Sequence, residues 1–270
     1  MIGIAIPAHN EATSLAACLD SVLLAARHPA LDGEQTDVIV VLDACTDASI
    51  QIAASRGVRT VSVNARNVGV ARALGARCLL GAGARWLAFT DADSRVAPDW
   101  LVAQLALRAD AVCGCIEVDD WTGRTEEVRR RFLEGYTHAD GHRHIHGANL
   151  GVSSHAYRRC GGFQPVKVSE DVALVDALLQ CEANIVWSSA PRVTTSARAD
   201  ARARGGFGDT LSALGAVAHD RMPPTLDTLA GARPQRIATA PAPLSRHTSS
   251  LPRLAHEAAA LRVTENGETA

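Results

Sequence analysis

The sequence predicts an α/β fold: a mostly parallel sheet flanked by helices, forming one main domain with a less ordered C-terminal tail. Two observations carry this reading. Over the first 120 residues, short apolar runs alternate with segments whose apolar residues recur at helical spacing. Polar residues follow three of those runs directly, where a parallel sheet binds its ligands.

Residues 2–6 are an apolar run closed by Pro7. Asn10 is placed to cap a following helix, with Glu11 in its first turn. Leu15, Cys18, Leu19, Val22, Leu23 and Ala26 then recur at helical spacing. Residues 37–42 are a second strand, 48–56 a helix that Gly57 ends, and 58–63 a third strand. A helix of Ala, Leu and Arg covers 68–80, and a fourth strand covers 86–90. Pro98 opens a helix running to about residue 107, and 111–118 is a fifth strand.

The middle of the chain changes character. Residues 124–139 read as a charged helix, and 138–146 are rich in His and Gly. Gly161-Gly162 marks a turn. Residues 169–181 read as a helix capped by Ser169, with Glu170 and Asp171 in its first turn; 184–187 and 193–196 read as short strands. Beyond about Leu214 periodicity fades. Residues 254–263 fit one amphipathic helix, in a tail that packs poorly or folds back over the site.

The 270 residues are 47% apolar, enough for a large core, but only 4% aromatic. A formal charge of −2 gives no electrostatic ground for nucleic acid or an acidic membrane surface. Seven scattered cysteines, none in a C-x-x-C pair, read as buried hydrophobes in a reducing compartment. The N-terminus has no signal-peptide pattern, and no apolar run reaches the roughly 18 residues of a membrane span. The expectation is a cytoplasmic protein with no nucleic-acid partner and no transmembrane segment.

The sharpest local feature is Asp91-Ala92-Asp93, two acids around a small residue directly after a buried strand. Hard divalent cations take such oxygen ligands and share them with substrate phosphates. The same acids also suit a solvated turn. Pro7-Ala8-His9-Asn10-Glu11 follows the first strand, and Asp43-Ala44-Cys45-Thr46-Asp47 the second. Both fit a nucleotide site or plain helix capping. Glu170-Asp171 fits either a helix start or a general base acting on a hydroxyl. His138, His142, His144 and His146 form a histidine run. His142-x-His144-x-His146 would put three rings on one face of a strand, more suited to a substrate pocket than to zinc. Thr195-Ser196-Ala197-Arg198, followed by Arg202, Arg204, Gly205 and Gly206, is a basic loop suited to a diphosphate.

Taken in order, these segments resemble the family-2 glycosyltransferases of the Rossmann-like GT-A fold. The opening 4–11, the second-strand motif 40–47, Asn67-Val68-Gly69-Val70-Ala71-Arg72, the D-x-D at 91–93, 146–151, Gly161-Gly162-Phe163 and Glu170-Asp171 all fall as they do in that family, across about residues 2–200. The resemblance implies a GT-A domain at 1–213, with a nucleotide-binding half at 1–120 and an acceptor and catalytic half at 121–213, followed by the tail at 214–270. It implies a hexosyltransferase-like enzyme that moves a sugar from a nucleoside-diphosphate sugar to a hydroxyl acceptor, using Mn²⁺ or Mg²⁺. Pro7, Asn10, Glu11 and Asp43 would line the nucleotide. Arg72 would hold it or the D-x-D loop. Asp91 would meet ribose or metal-bound water, with Ala92 beside it, and Asp93 would ligate the metal. Asp171, next to Glu170, would be the base of an inverting transfer, and Arg198 a diphosphate contact. No Gln-x-x-Arg-Trp follows the base, which sets the chain apart from processive synthases. Two other readings stay open: a nucleotidyltransferase, although no Gly- and Lys-rich loop follows the first strand, and a non-catalytic nucleotide-sugar-binding protein.

Overall fold

The computed structural model describes residues 1–198 and 206–216, which form one eight-stranded sheet with helices on both faces. In chain order the elements are β1 (Ile2–Ala8), α1 (Leu15–Ala26), β2 (Thr36–Asp43), α2 (Ser49–Ser55), β3 (Arg59–Val63), α3 (Val68–Gly81), β4 (Trp86–Phe89), β5 (Arg95–Val96), α4 (Trp100–Ala106), β6 (Ala111–Val118), α5 (Glu126–Gly135), β7 (Leu150–Ser153), α6 (Ser154–Arg159), α7 (Glu170–Gln180), β8 (Ile185–Thr195) and α8 (Phe207–Ala216). The strand order is β3-β2-β1-β4-β7-β6-β8-β5. The ladders joining β3, β2, β1 and β4 are parallel, as is β6 with β8. β7 runs antiparallel to both β4 and β6, and β5 antiparallel to β8.

Side-chain alternation explains the layers. Ile2, Ile4 and Ile6 of β1 and Val38, Val40 and Leu42 of β2 join one core with Leu15, Leu19 and Val22 of α1 and Trp100 and Leu101 of α4. Ala5, Ile39 and Val41 join the other, with Ala71, Leu74 and Leu79 of α3 and Leu174, Val175 and Leu178 of α7. Covering both faces is why these strands read as unbroken apolar runs. Gly75 lets α3 approach closely, since a Cβ there would lie 2.9 Å from that of Ala5. A smaller core joins Val128 and Phe132 of α5 to Leu211 and Leu214 of α8. Because β1, β2 and β4 run the same way, the residues that follow them emerge together at one end of the sheet.

Several expectations are corrected. Asn10 caps no helix: it has φ 54°, its Oδ1 accepts the Thr46 N–H at 2.7 Å, and α1 starts only at Leu15. Pro98 precedes the first turn of α4, whose N-cap is Asp99. The charged helix is confined to α5, started by Thr125 Oγ1 accepting the Val128 N–H. Ser169 stands at the N-cap of α7 with φ 56° and no side-chain cap bond. Residues 184–187 and 193–196 belong to one strand, β8, whose register shifts opposite residues 114–116. The histidine run is not a strand, although its rings do stack. β5 and β7 are additional strands, only two and four residues long. Arg202, Arg204, Gly205, the helix expected at 254–263 and the tail from residue 217 lie outside the described residues. None of the described helices is long and apolar enough to cross a membrane.

Candidate active site

The ends of β1, β2 and β4 open into a cavity of about 910 Å³. On the β1 and β2 side it is lined by Pro7, Ala8, His9, Glu11 and Asp43. Asp43 is 4% exposed, and its carboxylate holds the loop after β3. Oδ1 accepts the N–H groups of Ala65 and Arg66, both at 2.8 Å, and Oδ2 that of Asn67 at 2.7 Å. Asn67 in turn starts α3 by accepting the Val70 N–H at 3.1 Å. Asp47 ties the two strand-end loops together, accepting the N–H groups of Ser49 at 3.0 Å and Ala12 at 2.9 Å.

A charged centre fills the middle. Arg72, 3% exposed, donates one arm of its guanidinium to Asp91 and another to Glu170, and sits 5.9 Å over the Phe163 ring. Burial works against its charge, but Asp91, Glu170 and Asp171 outweigh burial and raise its pKa. Burial likewise pushes the Glu170 carboxyl up, against the pull of Arg72. Arg198 makes a second ion cluster. It donates to Glu11 through two bonds of 2.7 and 2.6 Å and lies 3.1 Å from Asp93. The Asp93 carboxyl is pushed up to about 6, chiefly by burial and then by Asp91, with Arg198 opposing and Glu11 adding to the rise.

Asp171 sits across from this centre at the start of α7. Its Oδ2 accepts the Gly147 N–H at 2.8 Å, which ties the helix start to the turn before β7. Beyond it the cavity wall turns aromatic and neutral, with Phe132, Tyr136, His144, His146 and Phe207. Tyr136 stacks between Phe132 at 4.9 Å and His144 at 4.0 Å.

The structure therefore brings Pro7, Glu11, Asp43, Arg72, Asp91, Ala92, Asp93, Glu170, Asp171 and Arg198 to one cavity. Asn10 is not among the lining residues; its side chain turns to Thr46. Sequence reasoning missed Phe132, Tyr136 and Phe207, and the Arg72–Glu170 and Arg198–Glu11 pairs, whereas the bond of Arg72 to Asp91 matches its expected hold on the D-x-D loop. The partners in those two pairs are 98 and 187 residues apart, and no local pattern links them. His144 and His146 do line the cavity.

Among the described residues, no group of three or more His, Cys, Asp or Glu could hold a metal ion by itself. A cation shared with a diphosphate needs less, since Mg²⁺ is usually held by one or two carboxylates plus substrate oxygens and water. The oxygens of Asp93 and Asp91 fit that role. The Asp93 carboxyl is raised chiefly by burial, and Asp91 and Glu11 add to the rise against Arg198.

A family model described as Glycosyl transferase family 2 matches residues 3–164. No curated protein matches the chain in sequence. Among solved structures, the chain is similar to S. aureus TarS 1–349 in complex with UDP-GlcNAc. The TM-score is 0.58 and the identity 16%, over 76% of this chain and 61% of that one. It is also similar to GalNAc-T7 with UDP, GalNAc and Mn²⁺, with a TM-score of 0.54 and 17% identity, over 77% of this chain and 45% of that one. The chain thus spans less than two thirds of the length of these neighbours, and at such identity the likeness establishes the GT-A fold.

Proposed function

The chain belongs to glycosyl transferase family 2, and from that premise we propose that it transfers a sugar from a nucleoside-diphosphate sugar to an acceptor hydroxyl, with inversion and with a divalent metal. The observation that carries this reading is the joining of the D-x-D to the acidic pair through one buried arginine. Arg72 bonds Asp91 on one side and Glu170 on the other, and Asp171 follows Glu170 in the same cavity. The nucleotide-binding and acceptor halves, 1–120 and 121–213, would meet along this link. The bound nucleotides named for both structural neighbours add support on the donor side.

Pro7, Glu11 and Asp43 line the nucleotide end, Asp43 acting through the 65–67 loop that it holds. Asn10 would act there only through the Thr46 loop. Asp93, with Asp91, would hold Mn²⁺ or Mg²⁺, and Ala92 keeps the turn between them compact. The metal, when bound, supplies Lewis-acid neutralisation of the leaving diphosphate. Arg198 adds a guanidinium to the same phosphates once it lets go of Asp93. Asp171 takes the proton of the acceptor hydroxyl. The oxygen's electron pair forms the new bond to the anomeric carbon, and the bond to the diphosphate breaks, its electron pair leaving with the nucleotide. Glu170, fixed by Arg72, positions that base and does not itself take the proton.

A donor-hydrolysis screen of nucleotide sugars, with and without Mn²⁺, tests the assignment. Metal-dependent turnover should fall at least about 100-fold in Asp93→Ala and in Asp171→Asn, the lower range for a lost general base. Undiminished turnover in Asp93→Ala would remove the metal role. Full transfer by Asp171→Asn would remove the base.

A further inference from the structure

Two residues at the start of α3 hold a segment 98 residues further along the chain. While Asn67 Oδ1 accepts the Val70 N–H, its Nδ2 donates to the Pro165 carbonyl at 3.0 Å. Gly69, in the first turn of α3, is buried beneath the same segment. A Cβ on it would run into the Gln164 carbonyl oxygen, and would lie 2.6 Å from that of Val166 and 3.2 Å from the Val166 nitrogen. All three are backbone atoms, so no side chain can rotate away to make room. The Val166 N–H donates to the Gln164 carbonyl at 2.8 Å, which closes a three-residue turn around Pro165. Proline fixes φ at the centre of that turn and brings no N–H of its own, and its carbonyl is left for Asn67.

The segment is a strap, residues 164–169, that leads to the acidic pair. Phe163, just before it, is buried against Phe89, with ring centroids 4.9 Å apart. Lys167, Val168 and Ser169 then run along the cavity and deliver the chain to Glu170 and Asp171. The core contacts of Leu174, Val175 and Leu178 fix the body of α7. Its first turn is less provided for, since Ser169 makes no side-chain cap bond. Glu170 bonds Arg72, which stands three residues after Gly69 on the same face of α3. One helix face thus grips the strap at one end through its backbone, at Gly69, and at the other through the acid that follows it, at Arg72.

We propose that Asn67 and Gly69 are positioning residues for the base. They seat the strap on the first turn of α3, and that seating sets where the start of α7 presents Asp171 to the acceptor oxygen. The inference rests on the glycosyl-transfer reading, with Asp171 as base, and adds to it the residues that hold the base in place.

A cycle of variants tests it. The donor screen, begun with UDP-GlcNAc, supplies the nucleotide sugar hydrolysed fastest, and its hydrolysis is followed in wild type, Gly69→Ala, Asp171→Asn and the double variant. Gly69 is not among the residues lining the cavity, so Gly69→Ala should leave the donor KM within about twofold of wild type. A misplacement of about 1 Å costs on the order of 100-fold, and kcat should fall at least about tenfold. In the Asp171→Asn background the same methyl should cost nothing further, because Gly69 acts only through that carboxylate. A general weakening of the fold would instead cost the same in both backgrounds. Amide exchange should quicken over residues 166–172 and stay unchanged along α3. Asn67→Asp keeps the Val70 cap but loses the donor to Pro165; it should shift kcat and exchange the same way, and takes the place of Gly69→Ala in the cycle if that variant does not fold. Wild-type kcat, a loss confined to the donor KM of Gly69→Ala, an equal loss in the Asp171→Asn background, or exchange over 166–172 no faster than in wild type would overturn the positioning role alone. Full hydrolysis by Asp171→Asn would overturn the base assignment, and no hydrolysis of any nucleotide sugar by wild type would overturn the glycosyl-transfer reading, each taking the positioning role with it.

Discussion

Replacing Arg72 by methionine should be among the costliest single changes in this protein. The side chains of Arg72 and Glu170 are 3% and 7% exposed, whereas that of Asp91 is 36% exposed. Removing the guanidinium therefore strands Glu170 as a buried carboxylate while Asp91 falls back on water. Breaking one side of a buried pair costs about 3–5 kcal/mol, about a fifth or more of the roughly 5–15 kcal/mol that holds a typical domain together. Removing both partners is far cheaper, because no orphan charge is left. Arg72→Met/Glu170→Leu should regain most of the loss. Urea unfolding of wild type, both single variants and the double variant closes the cycle. The penalty in Arg72→Met should also shrink as pH falls from about 7 towards 5. A stranded Glu170 whose folded pKa is raised takes up a proton more readily when folded, so stability rises as pH falls. An Arg72→Met protein within about 1 kcal/mol of wild type, or a double variant no better than the single, would refute this reasoning.

Other outcomes follow from the same geometry. Asp43→Asn turns an N–H₂ group towards backbone N–H groups of the 65–67 loop, and should cost about 1–3 kcal/mol; amide exchange confined to that loop should speed up, and unchanged exchange would count against the tie. Gly114→Ala drives a methyl into the Asn149 amide, which bonds the Cys115 carbonyl at 2.6 Å, the Pro191 carbonyl at 2.8 Å and Trp100 Nε1 at 2.9 Å. It should lower stability by about 1–3 kcal/mol, read as a lower urea midpoint with unchanged slope. The neutral His146 contributes stability that is complete above its unfolded value of about 6.5 and is lost as pH falls from there towards the folded value of about 3. Wild type should therefore lose more of its urea midpoint between pH 7 and pH 5 than His146→Leu does; equal losses would show that the ring does not carry this dependence.

The first five predicted strands and the helices between them were legible because their apolar residues answer to two covered sheet faces, a pattern set by local spacing. Short elements were not. β5 has two residues and exists only through pairing with β8, and β7 has four, embedded in a run read as a motif. Asn10 misled because asparagine suits both a helix cap and a left-handed turn, and the contact with Thr46 decides between them. Of the site, Asp43, Asp91 and Asp93 stood out by following strands. Glu170 as a partner of Arg72 and Glu11 as a partner of Arg198 did not, since ion pairs between distant segments leave no spacing to read. The aromatic wall was hidden because Phe132, Tyr136 and Phe207 look like ordinary core residues until the fold places them on a cavity.

The place of β7 between β4 and β6 has a consequence for synthesis. β4 can pair with β1 once both have been made, but its other edge has no partner until residues 150–153 arrive. β6, made in the interval, has no place beside β4 and must wait for β7 to join them. At about 5–20 residues per second that interval lasts several seconds. Through it, a nascent chain carries Trp86–Phe89, four residues buried in the finished protein, along an open hydrogen-bonding edge. The strand that closes this edge follows directly on the turn whose Gly147 N–H bonds Asp171, so that contact must wait until α7 has been made as well.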